Sequence, residues 1–210
     1  MRLILSSNPS AASGGFREWD YCILWRNPSL DCGNHDYWLR QPLVLIEEGR
    51  FALFLAKPKK VLFVCTGNTC RSPMAEAIFR QLATGKAGEN WQVSSAGIHA
   101  VTGSPATSEA MAALSELGLE ISGHSARLLT EDLLEDADLI LTMTAGHKQR
   151  IQLQFPAAAD RVFTVKEFAG EVGNLDIPDP YGQGLAAYRS TAAELRGSLA
   201  AVWKRLNAKG

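Results

Sequence analysis

Cysteine is scarce in this chain. The 210 residues hold only Cys22, Cys32, Cys65 and Cys70. They form no pair of CxxC motifs, which argues against a structural zinc site. Cys22, Cys32 and His35 do lie near one another, but their spacing matches no familiar metal pattern, so no metal is expected. An excess of either charge is also lacking. Lys and Arg total 21 against 22 Asp and Glu, a formal net charge of −1, which gives no reason to expect nucleic acid or an anionic membrane as partner. Long apolar runs are missing too. Leu3-Ile4-Leu5 is too short for a secretory signal, and residues 43–56 are interrupted by Glu47, Glu48 and Arg50 and are too short to span a bilayer. Two nucleotide fingerprints are absent, the GxGxxG turn and the phosphate loop that ends in Gly-Lys-Ser/Thr.

Against these absences one stretch stands out, Val61-Leu62-Phe63-Val64-Cys65-Thr66-Gly67-Asn68-Thr69-Cys70-Arg71-Ser72-Pro73. An apolar, β-branched run ends in a cysteine, a short loop follows, and a helix is expected to open with Ser72 as its N-cap and Pro73 in its first turn, where the missing N–H of proline loses nothing. Glu76 follows closely and complements the helix dipole. A loop between a strand end and a helix N-terminus suits an anion, because free N–H groups and partial positive charge converge there. Gly67 and Asn68 are the residues that most readily take positive φ and curl successive amides into a nest. Arg71 adds a planar fork that can hold two oxygens of a phosphate. The thiolate, not the thiol, is the nucleophile at such a site. The seven residues from Cys65 to Arg71 could thus wrap one tetrahedral oxyanion, with attack of Cys65 on phosphorus giving a phosphocysteine.

Cys-Thr-Gly-Asn-Thr-Cys-Arg-Ser-Pro-Met-Ala-Glu, beginning at Cys65, resembles the phosphate loop of the low-molecular-weight protein tyrosine phosphatases, and more narrowly that of their bacterial protein arginine phosphatase branch. The resemblance runs from about Lys60 to the C-terminus. It implies a cysteine-dependent protein phosphatase without cofactor, in which the phosphate-binding residues are Thr66, Gly67, Asn68, Thr69, Cys70, Arg71 and Ser72. Asp176-Ile177-Pro178-Asp179-Pro180-Tyr181-Gly182 is a loop of fixed shape by its prolines and glycine and resembles the family's acid loop. Asp179 is then the general acid and later the base, with Asp176 as the competing carboxylate. Ser72 is expected to hydrogen-bond the Cys65 thiolate, and Asn68, Ser95 and His124 match the family's loop-supporting network. Cys70, on the same curled loop as Cys65, could form a reversible disulfide with it after oxidation. His99 and His147 receive no role.

Thr69 and Tyr181 are the expected specificity residues. Tyrosine-specific relatives carry an aliphatic residue where this chain has Thr69, and often two adjacent aromatics where it has Tyr181-Gly182. A hydroxyl can bond a polar guanidinium, whereas an aliphatic side chain favours an apolar ring. Phosphoarginine in proteins is therefore preferred to phosphotyrosine. Arsenate reductase chemistry needs further downstream cysteines for its disulfide relay, and none follows Cys70. The partners expected are phosphorylated proteins, with the enzyme a cytoplasmic monomer, since few cysteines and a reactive thiol suit a reducing compartment.

The chain divides by composition. Residues 1–57 hold three of the five tryptophans, Trp19, Trp25 and Trp38, with many turn signals and no sustained period. They are expected to be a poorly ordered extension, or a small hairpin of 43–46 against 51–55 turning at Glu48-Gly49. Methionine is absent between Met1 and Met74, and an upstream start site is one origin for such an extension. Residues 58–210 are the expected phosphatase domain. Strands are expected at 61–65, 92–96, 139–143 and 161–164, and helices at 72–83, 104–117, 130–135, 145–154 and 185–207. This alternation implies an α/β fold, a parallel sheet with helices on both faces. The family resemblance adds the strand order 2-1-3-4, with the phosphate loop after the first of the four.

Overall fold

The computed structural model describes residues 60–84 and 91–207 in full and, before them, the backbone of two strands. These two, β1 (Val44–Glu47) and β2 (Arg50–Leu53), pair antiparallel with Glu47 opposite Arg50. The hairpin is the expected one with its ends moved by one or two residues. Cys22, Cys32 and His35 lie outside the described residues. The chain separates into two compact units, residues 1–54 and 55–210.

The second unit alternates strand and helix. In order come β3 (Lys60–Cys65), α1 (Arg71–Ala83), β4 (Gln92–Gly97), α2 (Ser108–Ser115), α3 (Glu131–Asp136), β5 (Leu139–Thr142), α4 (Ala145–Gln154), a 3₁₀ turn at Pro156–Arg161, β6 (Val162–Thr164), α5 (Val165–Ala169) and α6 (Leu185–Asn207). The four strands of this unit pair in the order β4-β3-β5-β6, all parallel. That is the predicted 2-1-3-4. β3 is central and buried on both faces, which is why it reads as an uninterrupted apolar run. Its odd residues Val61, Phe63 and Cys65 face a core shared with α1, α2, α5 and α6, while Leu62 and Val64 face α3 and α4. On the first face Phe63, Phe79, Trp91 and Trp203 stack edge to face with centroids 5.6–6.2 Å apart, the arrangement that aromatic quadrupoles prefer. No helix of the described residues is long and apolar enough to cross a membrane.

Three expectations need correction. The first helix opens at Arg71, with Cys70 as its N-cap and no capping side chain. Ser72 is its second residue, Glu76 falls in the second turn, and the Ser72 hydroxyl is engaged elsewhere. Residues 104–107 are not helical. Pro105 disfavours helix at Ser104, and the segment is tied down by the Ala126 N–H to Ser104 O and the Thr107 N–H to Thr69 O bonds (2.8 and 3.0 Å). The helix then starts at Ser108, capped by Thr107, whose hydroxyl accepts the Ala110 N–H. Finally, α5 is a helix that the sequence pattern does not predict. Its five residues are too few to show a period, although its capping box, Thr164 with Glu167, is a readable start signal.

Candidate active site

The loop from Cys65 to Arg71 leaves the carboxyl end of the central strand, the edge where open parallel sheets bind ligands. Its shape turns on Asn68. This is the one non-glycine residue with positive φ among those described, at 55°, and Gly67, expected to share that conformation, does not. The strained backbone is held from all sides. The Asn68 side-chain amide donates to Ser72 Oγ and Ser95 Oγ, both at 2.9 Å, and its oxygen accepts the Arg127 N–H at 2.9 Å. Asn68 O lies 2.7 Å from His124 Nε2. A carbonyl only accepts, so that nitrogen carries the proton. Ser95 Oγ in turn donates to Glu76 Oε2 at 2.6 Å, and Arg127 Nε donates to Ser95 O at 2.7 Å. Asn68, Ser72, Ser95 and His124 therefore meet in one network.

Two donors converge on the Cys65 sulfur. The Asn68 N–H lies 3.3 Å away and Ser72 Oγ 3.0 Å away. Because Ser72 Oγ accepts from Asn68, and Ala96 O is farther off at 3.4 Å, its proton is best placed towards the sulfur. Gly97, at the end of β4, supports the loop from below. A Cβ there would sit 2.6 Å from Thr66 O and 2.8 Å from Asn68 N, so only glycine lets the two backbones approach. Sequence reading gave Gly97 no role, and nothing short of the tertiary contact signals it.

Arg71 is buried, its Nη1 donating to Ile177 O at 3.2 Å and its Nη2 to Asp179 Oδ2 at 2.5 Å. Its Nε is the one buried side-chain polar atom without a partner among the described residues, a donor that an oxyanion would satisfy. Asp179 comes from the segment between α5 and α6, which is tied to the end of β5 by the Ile177 N–H to Met143 O bond. Asp176, its competitor, instead accepts the Ala145 N–H at 2.7 Å, where it caps α4. A cleft of about 310 Å³ is lined by Cys65, Thr66, Thr69, Arg71 and Asp179, with His99, Val101, Ser104 and Tyr181 at its wall. A larger cleft of about 620 Å³ opens behind the loop, along Glu76, Arg80, His124 and Arg127, but it does not include the cysteine. Cys70 is buried, its sulfur 3.2 Å from the Tyr188 hydroxyl on α6. Burial and the neighbouring Cys70 sulfur raise the pKa of that tyrosine.

His147, unassigned from sequence, reaches the same loop. Its Nε2 lies 3.0 Å from Thr66 Oγ1 and its Nδ1 2.9 Å from Thr144 Oγ1. Burial first, and the Arg71 charge second, push its pKa down from 6.5 to about 4, although Asp179 and Asp176 pull the other way. Thr144 is the N-cap of α4 and its hydroxyl accepts the His147 N–H, but nothing in the local sequence marks His147 as part of a site.

Residues 60–210 match the model of the low molecular weight phosphotyrosine protein phosphatase family. The chain belongs to that family. It is therefore a phosphatase, and its relatives within the family divide by substrate. A protein-arginine-phosphatase of Bacillus subtilis is 46% identical over 147 residues, which cover 70% of this chain and 95% of the relative. A probable low molecular weight protein-tyrosine-phosphatase, EpsP of Ralstonia nicotianae, is 40% identical over 152 residues, 72% and 99% of the two chains. Among solved structures, a YwlE arginine phosphatase whose active-site cysteine is replaced by a phosphorylated serine superposes with a TM-score of 0.66 at 44% identity, covering 70% of this chain and 95% of that one.

Proposed function

We propose that this phosphatase hydrolyses phosphoarginine in proteins, with Cys65 as nucleophile, Arg71 as phosphate clamp and Asp179 as general acid and then base. The observation that carries the substrate choice is Thr69, a hydroxyl-bearing residue that lines the same cleft as Asp179, where an apolar ring would want a hydrocarbon surface. In the first step the Cys65 thiolate attacks phosphorus. The P–N bond breaks as Asp179 protonates the departing nitrogen, and the loop amides with the Arg71 fork hold the equatorial oxygens. In the second step water attacks phosphorus, Asp179 takes its proton, and the S–P bond breaks. Ser72 stabilises the thiolate that leaves. Asn68, Ser95 and His124 hold the loop in its strained form. Cys70 is the partner for a protective disulfide. The 46% identity to an arginine phosphatase supports this reading. Tyr181, exposed at the rim, favours the alternative, a tyrosine phosphatase.

The catalytic unit is taken to be residues 58–210, a monomer acting in the cytoplasm. The test is steady-state phosphate release from a phosphoarginine peptide and a phosphotyrosine peptide, side by side. Cys65→Ser is expected to lose on the order of 10⁴-fold or more on both. Thr69→Ile is expected to shift the ratio of kcat/KM towards phosphotyrosine by about tenfold, or ~1.4 kcal/mol. A wild-type preference for phosphotyrosine would keep the cysteine mechanism and remove the substrate assignment.

A further inference from the structure

Thr66 directly follows the cysteine, and its exposed side chain lines the cleft together with Thr69 and Asp179. Its hydroxyl is not free to turn at will. His147 Nε2 holds it at 3.0 Å, and the far side of the imidazole is held by Thr144 Oγ1, which also accepts the His147 main-chain N–H at 3.2 Å. The ring is thus clamped at both nitrogens and by its own backbone. A threonine hydroxyl has one proton and two lone pairs. If Nε2–H donates to Thr66, one lone pair is used. If Thr66 donates to Nε2, none is. In either tautomer at least one lone pair remains for the cleft.

The two candidate leaving groups differ in what they ask of such an oxygen. A phosphorylated guanidine is a planar group edged with N–H donors and needs acceptors around it once water is excluded. A phenolic ring presents none. We propose that Thr66 is a specificity residue for guanidinium-type phosphoryl substrates, accepting one of their N–H groups, and that His147 is a positioning residue that holds the Thr66 hydroxyl for this contact. The inference rests on the phosphoarginine reading above. His147 suits the task because it is uncharged at neutral pH, its pKa having been pushed down to about 4, so it adds no positive charge to repel the guanidinium part of the substrate.

The test measures kcat/KM for a phosphoarginine peptide and a phosphotyrosine peptide on wild type, Thr66→Val, Thr66→Ser, His147→Leu and the Thr66→Val/His147→Leu double variant. The ratio between two substrates on one preparation does not depend on the fraction folded, so a merely structural role would leave it unmoved. Thr66→Val is expected to lower the phosphoarginine-to-phosphotyrosine ratio by about tenfold, the scale of one unmet hydrogen bond. Thr66→Ser, which keeps the oxygen, should hold the ratio. His147→Leu should lower it by about threefold, and the double variant should fall no further than Thr66→Val alone, because His147 acts through Thr66. An unchanged ratio in Thr66→Val overturns the proposal, and additive losses in the double variant overturn the role of His147. If wild type prefers phosphotyrosine, the substrate assignment fails, yet a fall of the ratio in Thr66→Val still upholds the acceptor role. The two failures are therefore distinguishable.

Discussion

At the residue scale the site is a matter of which side chains have no choice. Asn68 sits at φ 55°, and its side chain makes three hydrogen bonds at 2.9 Å, so few other residues would both tolerate the backbone and satisfy the network. Arg71 is buried and anchored on Ile177 O and Asp179, which orients its fork before any phosphate arrives. His147 gives this scale its own prediction. A histidine whose folded pKa lies below its unfolded value contributes stability that is complete above the unfolded value and lost as pH falls through the folded one. For His147 that window runs from 6.5 down to about 4, with Arg71, Asp179 and Asp176 the charges around it. Urea midpoints at pH 7, 5.5 and 4.5 should therefore fall less steeply for His147→Gln than for wild type. Parallel slopes would mean that the ring titrates alike in both states.

At the element scale the loop is held between three pieces of backbone, the end of β3, the start of α1 and the end of β4. The third contact depends on Gly97. Its φ is not in the left-handed region, so the requirement is one of space alone, and alanine there would press on Thr66 O and Asn68 N. Gly97→Ala is expected to lower kcat/KM by about 10²-fold, the cost of a misplacement near 1 Å, while far-UV circular dichroism stays that of wild type. Activity within a factor of about two would mean that the loop can give way. Element boundaries varied in how well the sequence marked them. α4 and α6 begin and end where the pattern of apolar residues and breakers puts them, since long periods and strong stops act locally. α2 begins later than expected because the Ala126 N–H donates to Ser104 O and the Thr107 N–H donates to Thr69 O, which ties residues 104–107 to the 123–127 segment and to the loop itself.

At the scale of the whole molecule, the family match covers residues 60–210 and the chain separates into units at residue 54. A chain of residues 58–210 alone is expected to keep kcat/KM within about twofold of the full chain, and EDTA is expected to change neither. A large loss on truncation would give the first 57 residues a part in catalysis.

What the sequence determined by itself was the local chemistry. Cys65, Asn68, Arg71 and Ser72 fall within eight consecutive positions, and Asp179 within one proline-framed turn. Strand ends, helix starts and turns are decided by interactions over a few residues, and these can be read along the chain. Alternation of strand and helix likewise implied the parallel sheet. What only the tertiary structure decided was who meets whom across long separations. Asp179 and not Asp176 faces Arg71, 108 positions away, because Asp176 is taken up at the start of α4. His147 reaches Thr66 across 81 positions, Arg127 reaches Asn68 across 59, and Gly97 lies under the loop. No local propensity encodes these meetings. They follow from the order in which strands are laid side by side and from close packing, which fixes side-chain contacts only when the whole sheet and its helices are in place.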